Sequence, residues 1–240
     1  MDYRTSAEDD LRRQSTAAIR TELADRISAL VGDREELHTA VPGFMLAKRT
    51  SPVPATPYLY EPSLAMIVQG RKHVILGRSS YWYDESLFLL TAVDLPTITE
   101  VLEASADAPY LSIVLKLDLL AARRLIAEID LDDPPGAAGG AMAVGPATEA
   151  LFDVIRRLID LLSSPKDIRI LGDLLQRELL YCVLTSPAGA RLRQIVRIGT
   201  QSHRISQAVD WLRENYVAPL RVEELALRCG MGLSSLHHHF

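Results

Sequence analysis

The spacing of apolar positions changes twice along the chain, and each change marks a different kind of element. Over residues 6–31, Ile19, Leu23, Ile27 and Leu30 recur at intervals of four, four and three, which aligns them as one stripe on a helix, with Gly32 as a stop. Between residues 41 and 117 the pattern shortens. Pro42, Pro52, Pro54, Pro57, Pro62, Pro96 and Pro109 exclude long helices there. What lies between them is β-type: Met66–Val68, His73–Leu76, Tyr81–Tyr83, Leu87–Leu90 and Leu111–Leu115. Gly70 and Gly77 fall where hairpin turns are expected, with Gln69-Gly70-Arg71 as one such turn, and Asp94-Leu95-Pro96 reads as a corner. Several short strands at this spacing predict a small sandwich or barrel.

Helical spacing returns over residues 117–130, where Leu119, Leu120, Leu125, Ile126 and Ile129 are apolar, and a Pro/Gly/Ala loop follows at 134–140. Two stronger helices come next. One covers about 147–162 with Leu151, Ile155, Leu158, Ile159 and Leu162 on one side. The other covers about 167–185 with Ile170, Leu171, Leu174, Leu175 and Leu179. Ser163-Ser164-Pro165 separates them, which predicts an antiparallel pair. Pro187 and Gly189 mark a joint, so the expected domains are 1–187 and 188–240. In the second, Ile205, Ala208, Val209 and Leu212 line one helix, and Pro219 breaks the chain. A short helix Val222–Cys229 follows, then a turn at Gly230 and another helix from Leu233: the order of a helix-turn-helix. The predicted fold class is α+β.

Composition narrows the picture without changing it. The 240 residues are 48% hydrophobic and 24% charged, ordinary globular values that exclude fibrous and low-complexity classes. Two cysteines, Cys182 and Cys229, cannot staple a disulfide scaffold. The first fourteen residues are charged and lack an apolar core, so no signal peptide is expected. The longest apolar run, Leu87–Val93, is far short of a membrane span. The expected location is the cytoplasm, with no membrane partner.

Charge is distributed unevenly. The total is −5, yet residues 187–240 hold seven arginines, no lysine and four acids, a net of +3, which leaves −8 on the remainder. Four of the six histidines, His203, His237, His238 and His239, lie in the same stretch. An acidic body with a basic end suits a terminal module that meets an anionic partner, although a solvated helix face carries the same charges.

The segment ISQAVDWLRENYVAPLRVEELALRCGMGLSSLHHHF, Ile205 to Phe240, closely resembles the first DNA-binding module of the AraC/XylS transcriptional regulators. Upstream, LYEPSLAMIVQGRKHVILG, DLPTITEVLEAS, PYLSIVLKLD and ELLYCVLTSPAGARLRQI resemble the N-terminal domain of one branch of that family. These motifs span about 42–240. The resemblance implies a transcription factor whose N-terminal, cupin-like β-barrel binds a small-molecule effector or dimerises, ahead of a helix-turn-helix. Two features depart from the pattern. Gly232 stands where the family usually has serine, a small change for a helix cap. The family also joins two helix-turn-helix modules, and this sequence contains the first. On that reading the 240-residue chain is expected to bind DNA weakly, because each lost phosphate contact lowers affinity.

The resemblance implies that Ser234, His237 and His238 face base edges, while Arg204 and Arg221 (with Arg213) reach phosphates or simply stay solvated. Adjacent helical histidines point about 100° apart, so the His237-His238-His239 run does not make a metal site. Only His38 and His73 precede residue 200, too few for a metal-dependent enzyme. No cofactor and no catalytic residue is expected. Effector-binding residues are not identified by pattern; Tyr60, Tyr81 and Tyr83, with Tyr58 and Trp82, could line a pocket, although aromatic strand residues serve a core equally well. Cys182, on an apolar helical stretch, reads as inert. The helices near 147–185 are the expected homodimer surface. The expected function is effector-responsive transcription control; the alternative is a ligand-binding or dimerisation module with no DNA binding of its own.

Overall fold

The structure, a computed structural model, describes residues 7–129, 142–190, 192–194, 196 and 222–228. The chain divides into two compact units, Met1–Arg193 and Gln194–Phe240.

Helix α1 (Ala7–Val31) opens the first unit. Its buried stripe is Thr16, Leu23, Ile27 and Val31, and Ile19 and Leu30 are half-buried beside it. Intervals of four keep Leu23, Ile27 and Val31 on one face. At its end the Arg34 guanidinium donates to the carbonyls of Val31 and Leu30, at 3.1 and 2.8 Å, which satisfies oxygens that a helix terminus leaves bare.

Nine strands follow: β1 (Glu36–His38), β2 (Phe44–Arg49), β3 (Val53–Tyr60), β4 (Ser63–Gln69), β5 (Arg71–Leu76), β6 (Ser79–Tyr83), β7 (Leu87–Thr91), β8 (Leu95–Glu103) and β9 (Tyr110–Lys116). After α2 (Leu119–Glu128) comes a tenth strand, β10 (Met142–Pro146), which the sequence pattern did not predict. Two antiparallel sheets result, in the orders β1-β2-β9-β4-β7-β10 and β3-β8-β5-β6.

No ladder joins the two sheets among the described residues, so the expected closed, cupin-like barrel is corrected to an open two-sheet sandwich. Gln69-Gly70-Arg71 is likewise not a hairpin turn. It carries the chain from β4 in the first sheet to β5 in the second. Gly70 makes this corner possible: its φ is +96°, and a Cβ there would lie 2.8 Å from the Glu103 carbonyl oxygen and 3.1 Å from the Tyr110 ring. Gly77, by contrast, lies in the β5–β6 hairpin, where Leu76 pairs with Ser79.

Strand β4 is buried through Ser63–Val68 on both faces, which is why its residues show no alternation. One face meets α1, and the other meets the second sheet across a core of Tyr60, Ala65, Ile67, Val74, Tyr83, Leu89, Val101, Tyr110 and Met142. Helix α3 (Glu149–Leu161), capped by the Thr148 hydroxyl, buries Leu151, Phe152, Ile155 and Leu158. A π-helical turn (Ile168–Gly172) then leads into α4 (Asp173–Thr185), which packs on both α3 and α2. In the second unit the structure describes helix α5 (Val222–Arg228), with Leu225 and Ala226 buried.

Candidate functional site

The interior between the two sheets holds most of the unusual chemistry. Tyr60 comes from β3, Tyr83 from β6 and Tyr110 from β9, so both sheets contribute phenols to one buried cluster. All three are at most 3% exposed. The Tyr60 hydroxyl makes no hydrogen bond of ordinary geometry; its polar neighbour is Tyr83. Burial pushes the Tyr60 phenol up to about 12, with Tyr83 pulling weakly the other way. Burial raises Tyr83 well above the ordinary value of 10.0, reinforced by Tyr60 and Tyr110. Tyr110 is also raised by burial, against the opposing effects of Lys72 and of a hydrogen bond with Ser112.

Lys72 enters this cluster from β5, two residues past the corner at Gly70. Its Nζ lies 5.3 Å from the ring centre of Tyr58 and 5.4 Å from that of Tyr60. The two rings meet edge to face, 4.7 Å apart at 68°. The ammonium therefore sits against two aromatic faces, whose quadrupoles attract a cation. Burial raises the Tyr58 phenol, and Lys72 opposes that shift.

Tyr58 and Tyr60 also line a cavity of about 220 Å³ that reaches in past Phe44, Met45 and Val114. Charged groups at its rim are paired. Glu36 accepts from Arg49 at 2.7 Å, Arg49 also reaches Glu35 at 3.6 Å, and Glu61 is bridged by Lys116. Lys72 has no carboxylate in ion-pair contact among the described residues.

Two other places carry polar or apolar features. On the opposite face of the second sheet, His73 is stacked on Trp82 at 4.0 Å and 18°. Its ring nitrogens lie 2.5 Å from Ser80 Oγ and 3.4 Å from Glu100 Oε2. This network ties β5 to both β6 and β8, and it lines none of the cavities described here. Between α3 and α4, a cleft of about 490 Å³ is walled by Leu161, Leu171, Leu174 and Leu175. Arg157 closes one side, gripping Glu178 through two nitrogens at 2.6 and 2.9 Å and Asp153 at 3.0 Å. Ile170, Leu171, Leu174 and Tyr181 expose 44–59% of their surface on this side chain layer.

Of the aromatic residues singled out by sequence, the fold brings Tyr60 and Tyr83 together, and Tyr81 packs half-buried against the same core. Trp82 points the other way, as strand alternation requires. Lys72 and Tyr110 escaped the sequence reading. Alternation along Arg71–Leu76 puts Lys72 on one face with Val74, but only sheet packing shows that this face is interior. Ser234, His237, His238, Arg204 and Arg221 lie outside the described residues.

Residues 40–191 match the AraC-type transcriptional regulator N-terminus. No curated protein matches the chain. Among solved structures, the AraC-like transcriptional activator CuxR is 13% identical, covering 85% of this chain and 72% of its own, with a TM-score of 0.40. An apo ToxT variant from Vibrio cholerae is 10% identical, covering 83% and 93%, with a TM-score of 0.39. ToxT from Vibrio cholerae bound to an unsaturated fatty acid is 12% identical, covering 83% and 91%, with a TM-score of 0.36.

Proposed function

The chain belongs to the AraC-type transcriptional regulators, and from that premise we propose that it is an effector-responsive regulator whose ligand enters the cavity between the two sheets. The observation that supports this site most is the pairing of an interior cavity with a buried, unpartnered hydroxyl at Tyr60, inside the region that matches the family. A polar group kept in a core without a partner costs stability, and a binding role accounts for its retention. The family is one of transcription regulators rather than enzymes.

The route of response follows the chain from cavity to helices. Val114 and Lys116 of β9 line the cavity. Two residues on, Asp118 caps α2 by accepting from the amides of Leu120 and Ala121 at 2.8 and 3.0 Å. Helix α2 meets α4, where Arg177 pairs with Glu128. A ligand that holds the end of β9 differently from solvent thereby biases how α2 and α4 pack, provided it binds two arrangements unequally.

For the second unit the proposal keeps the roles implied by resemblance: Ser234, His237 and His238 toward base edges, Arg204 and Arg221 toward phosphates. The test is a salt titration of the chain on DNA upstream of its own gene, with and without compounds that raise its melting temperature. Ligand-dependent, sequence-selective binding supports the proposal; binding indifferent to every stabilising compound overturns it.

A second reading is a ligand-binding and dimerisation module without DNA binding of its own. The exposed Ile170, Leu174 and Tyr181 on the α3–α4 side favour a homodimer surface there, since such apolar area is normally covered. Sedimentation of Leu174→Glu decides: a dimer that becomes a monomer supports the surface, and an unchanged mass removes it.

A further inference from the structure

The edges of the two sheets differ in how they are closed off. Each sheet ends in strands that pair on one side only: β1 and β10 in the first, β3 and β6 in the second. An open edge presents a row of backbone N–H and C=O groups to which another strand can add, and folded chains normally blunt it with short strands, proline, bulges or charge. Strands β1, β10 and β3 are blunted in this way. β1 is Glu36–His38 alone, β10 ends on Gly145 and Pro146, and β3 carries Pro54 and Pro57 with a register shift between Val53 and Thr56. β6 is not. Its sequence, Ser79-Ser80-Tyr81-Trp82-Tyr83, holds no proline, glycine or charge, and its ladder to β5 runs in unbroken register. Among the described residues, its backbone pairs with β5 alone.

The hairpin fixes which groups face out. β5 and β6 are joined by the turn Gly77-Arg78, with Gly77 at φ +57°, as the first central position of a type II′ turn requires. Such a turn is closed by a hydrogen-bonded pair, here Leu76 with Ser79, and bonded pairs then alternate with unbonded ones. Val74–Tyr81 and Lys72–Tyr83 are therefore bonded, and the N–H and C=O groups of Ser80 and Trp82 point to the open side. His73 holds the side chains of these same residues on the outer face of the sheet, with Ser80 Oγ at 2.5 Å and Trp82 stacked at 4.0 Å. The edge is thus ordered before anything binds it, which lowers the entropy cost of binding. We infer that β6 is the site at which a second copy of this chain adds, antiparallel about a two-fold axis through Tyr81, so that the β3-β8-β5-β6 sheets of both copies become one.

The strand is complementary to itself in that register. Ser80 of one copy lies opposite Trp82 of the other, and they exchange the N–H···O=C bonds that both leave free. Tyr81 lies opposite Tyr81 as a close, unbonded pair, the kind of aromatic contact that stabilises sheets. Just beyond the strand, Arg78 comes opposite Asp84 and next to Glu85. Arg78 is exposed and has no carboxylate in ion-pair contact within its own chain among the described residues. The pairing supplies one. A parallel, in-register approach would instead set like charges opposite each other. Any extended peptide can satisfy the backbone groups, but the strand's own sequence also gives Arg78 a carboxylate and Tyr81 an aromatic ring. This surface is separate from the cleft between α3 and α4, which β6 does not line.

The inference is tested by sedimentation equilibrium of the full chain over a range of concentrations, repeated in Leu174→Glu so that association through the α3–α4 side is read separately. The expected result is a reversible monomer–dimer equilibrium that Leu174→Glu retains. Ser80→Pro removes an N–H on the open side and spares the ladder to β5, and it is expected to weaken dimerisation roughly tenfold or more. Arg78→Glu sets like charges opposite each other and is expected to weaken it several-fold, with a larger effect at low salt. Circular dichroism confirms that each variant is folded. A Leu174→Glu chain that stays monomeric at millimolar concentration overturns the inference, as does association that neither Ser80→Pro nor Arg78→Glu weakens. Should Ser80→Pro fail to fold, Arg78→Glu and residue-resolved hydrogen exchange of the unmodified chain decide. Protection of the Ser80 and Trp82 amides that rises with concentration supports pairing between copies. Protection that is the same at every concentration means that a segment of the same chain covers β6, and overturns it.

Discussion

Tyr60→Phe removes one oxygen from the most enclosed part of the sandwich. Tyr60 is 2% exposed, and its hydroxyl has no hydrogen bond of ordinary geometry, so the native chain carries the desolvation cost of that group. An unsatisfied buried hydroxyl costs ~1–3 kcal/mol. The phenylalanine ring keeps the edge-to-face contact with Tyr58 and the aromatic face near Lys72, so little packing is lost. The expected change is a gain of ~1–2 kcal/mol in the ligand-free chain. At ~2–4 °C per kcal/mol for a chain of this size, that is a rise of several degrees in melting temperature. The assay is urea unfolding followed by near-ultraviolet circular dichroism, where the midpoint rises while the slope stays constant. A loss of 1 kcal/mol or more in Tyr60→Phe would refute the reasoning, because it would mean that the hydroxyl has a strong partner in the folded chain.

Three further outcomes follow from the same geometry. Burial raises the phenols of Tyr58, Tyr60, Tyr83 and Tyr110, so the folded chain holds their protons more tightly than the unfolded chain does. Stability from this source is complete below pH 10 and falls as pH rises from 10 through 12; alkaline unfolding should show that descent, less steep in Tyr60→Phe. Gly70→Ala forces a side chain onto a backbone with φ +96° and against the Glu103 carbonyl, and a loss of ~1–3 kcal/mol is expected in chemical unfolding. Gly145→Ala drives a Cβ into the Phe88 ring at its Cζ and to 2.9 Å from Ala188 Cβ, with Phe88 fully buried. It should lose ~1–3 kcal/mol, and Phe88→Leu in the same chain should recover part of that; no recovery would mean that Ala188 is the obstacle.

The sequence by itself determined the helices and most of the strands, because those depend on periodicity and on local breakers. Expected helices at 6–31, 117–130, 147–162 and 167–185 correspond to α1, α2, α3 and the π-turn with α4, within a few residues at each end. The family was legible as well, since its motifs are strings of residues. Three features were decided only by tertiary structure. Strand β10 has a short, weakly apolar sequence, Met142–Pro146, and is a strand because β7 offers an edge where Gly145 lets the Phe88 ring close in. Whether Gly70 turns a hairpin or a corner depends on which sheet receives β5, and both need the same glycine. The site itself follows from that corner. Lys72, Tyr60, Tyr83 and Tyr110 come from four strands in two sheets, separated by up to 50 residues of chain. No local pattern distinguishes an inward lysine from an outward one, because strand alternation gives two faces and leaves their burial to the packing of the second sheet against the first.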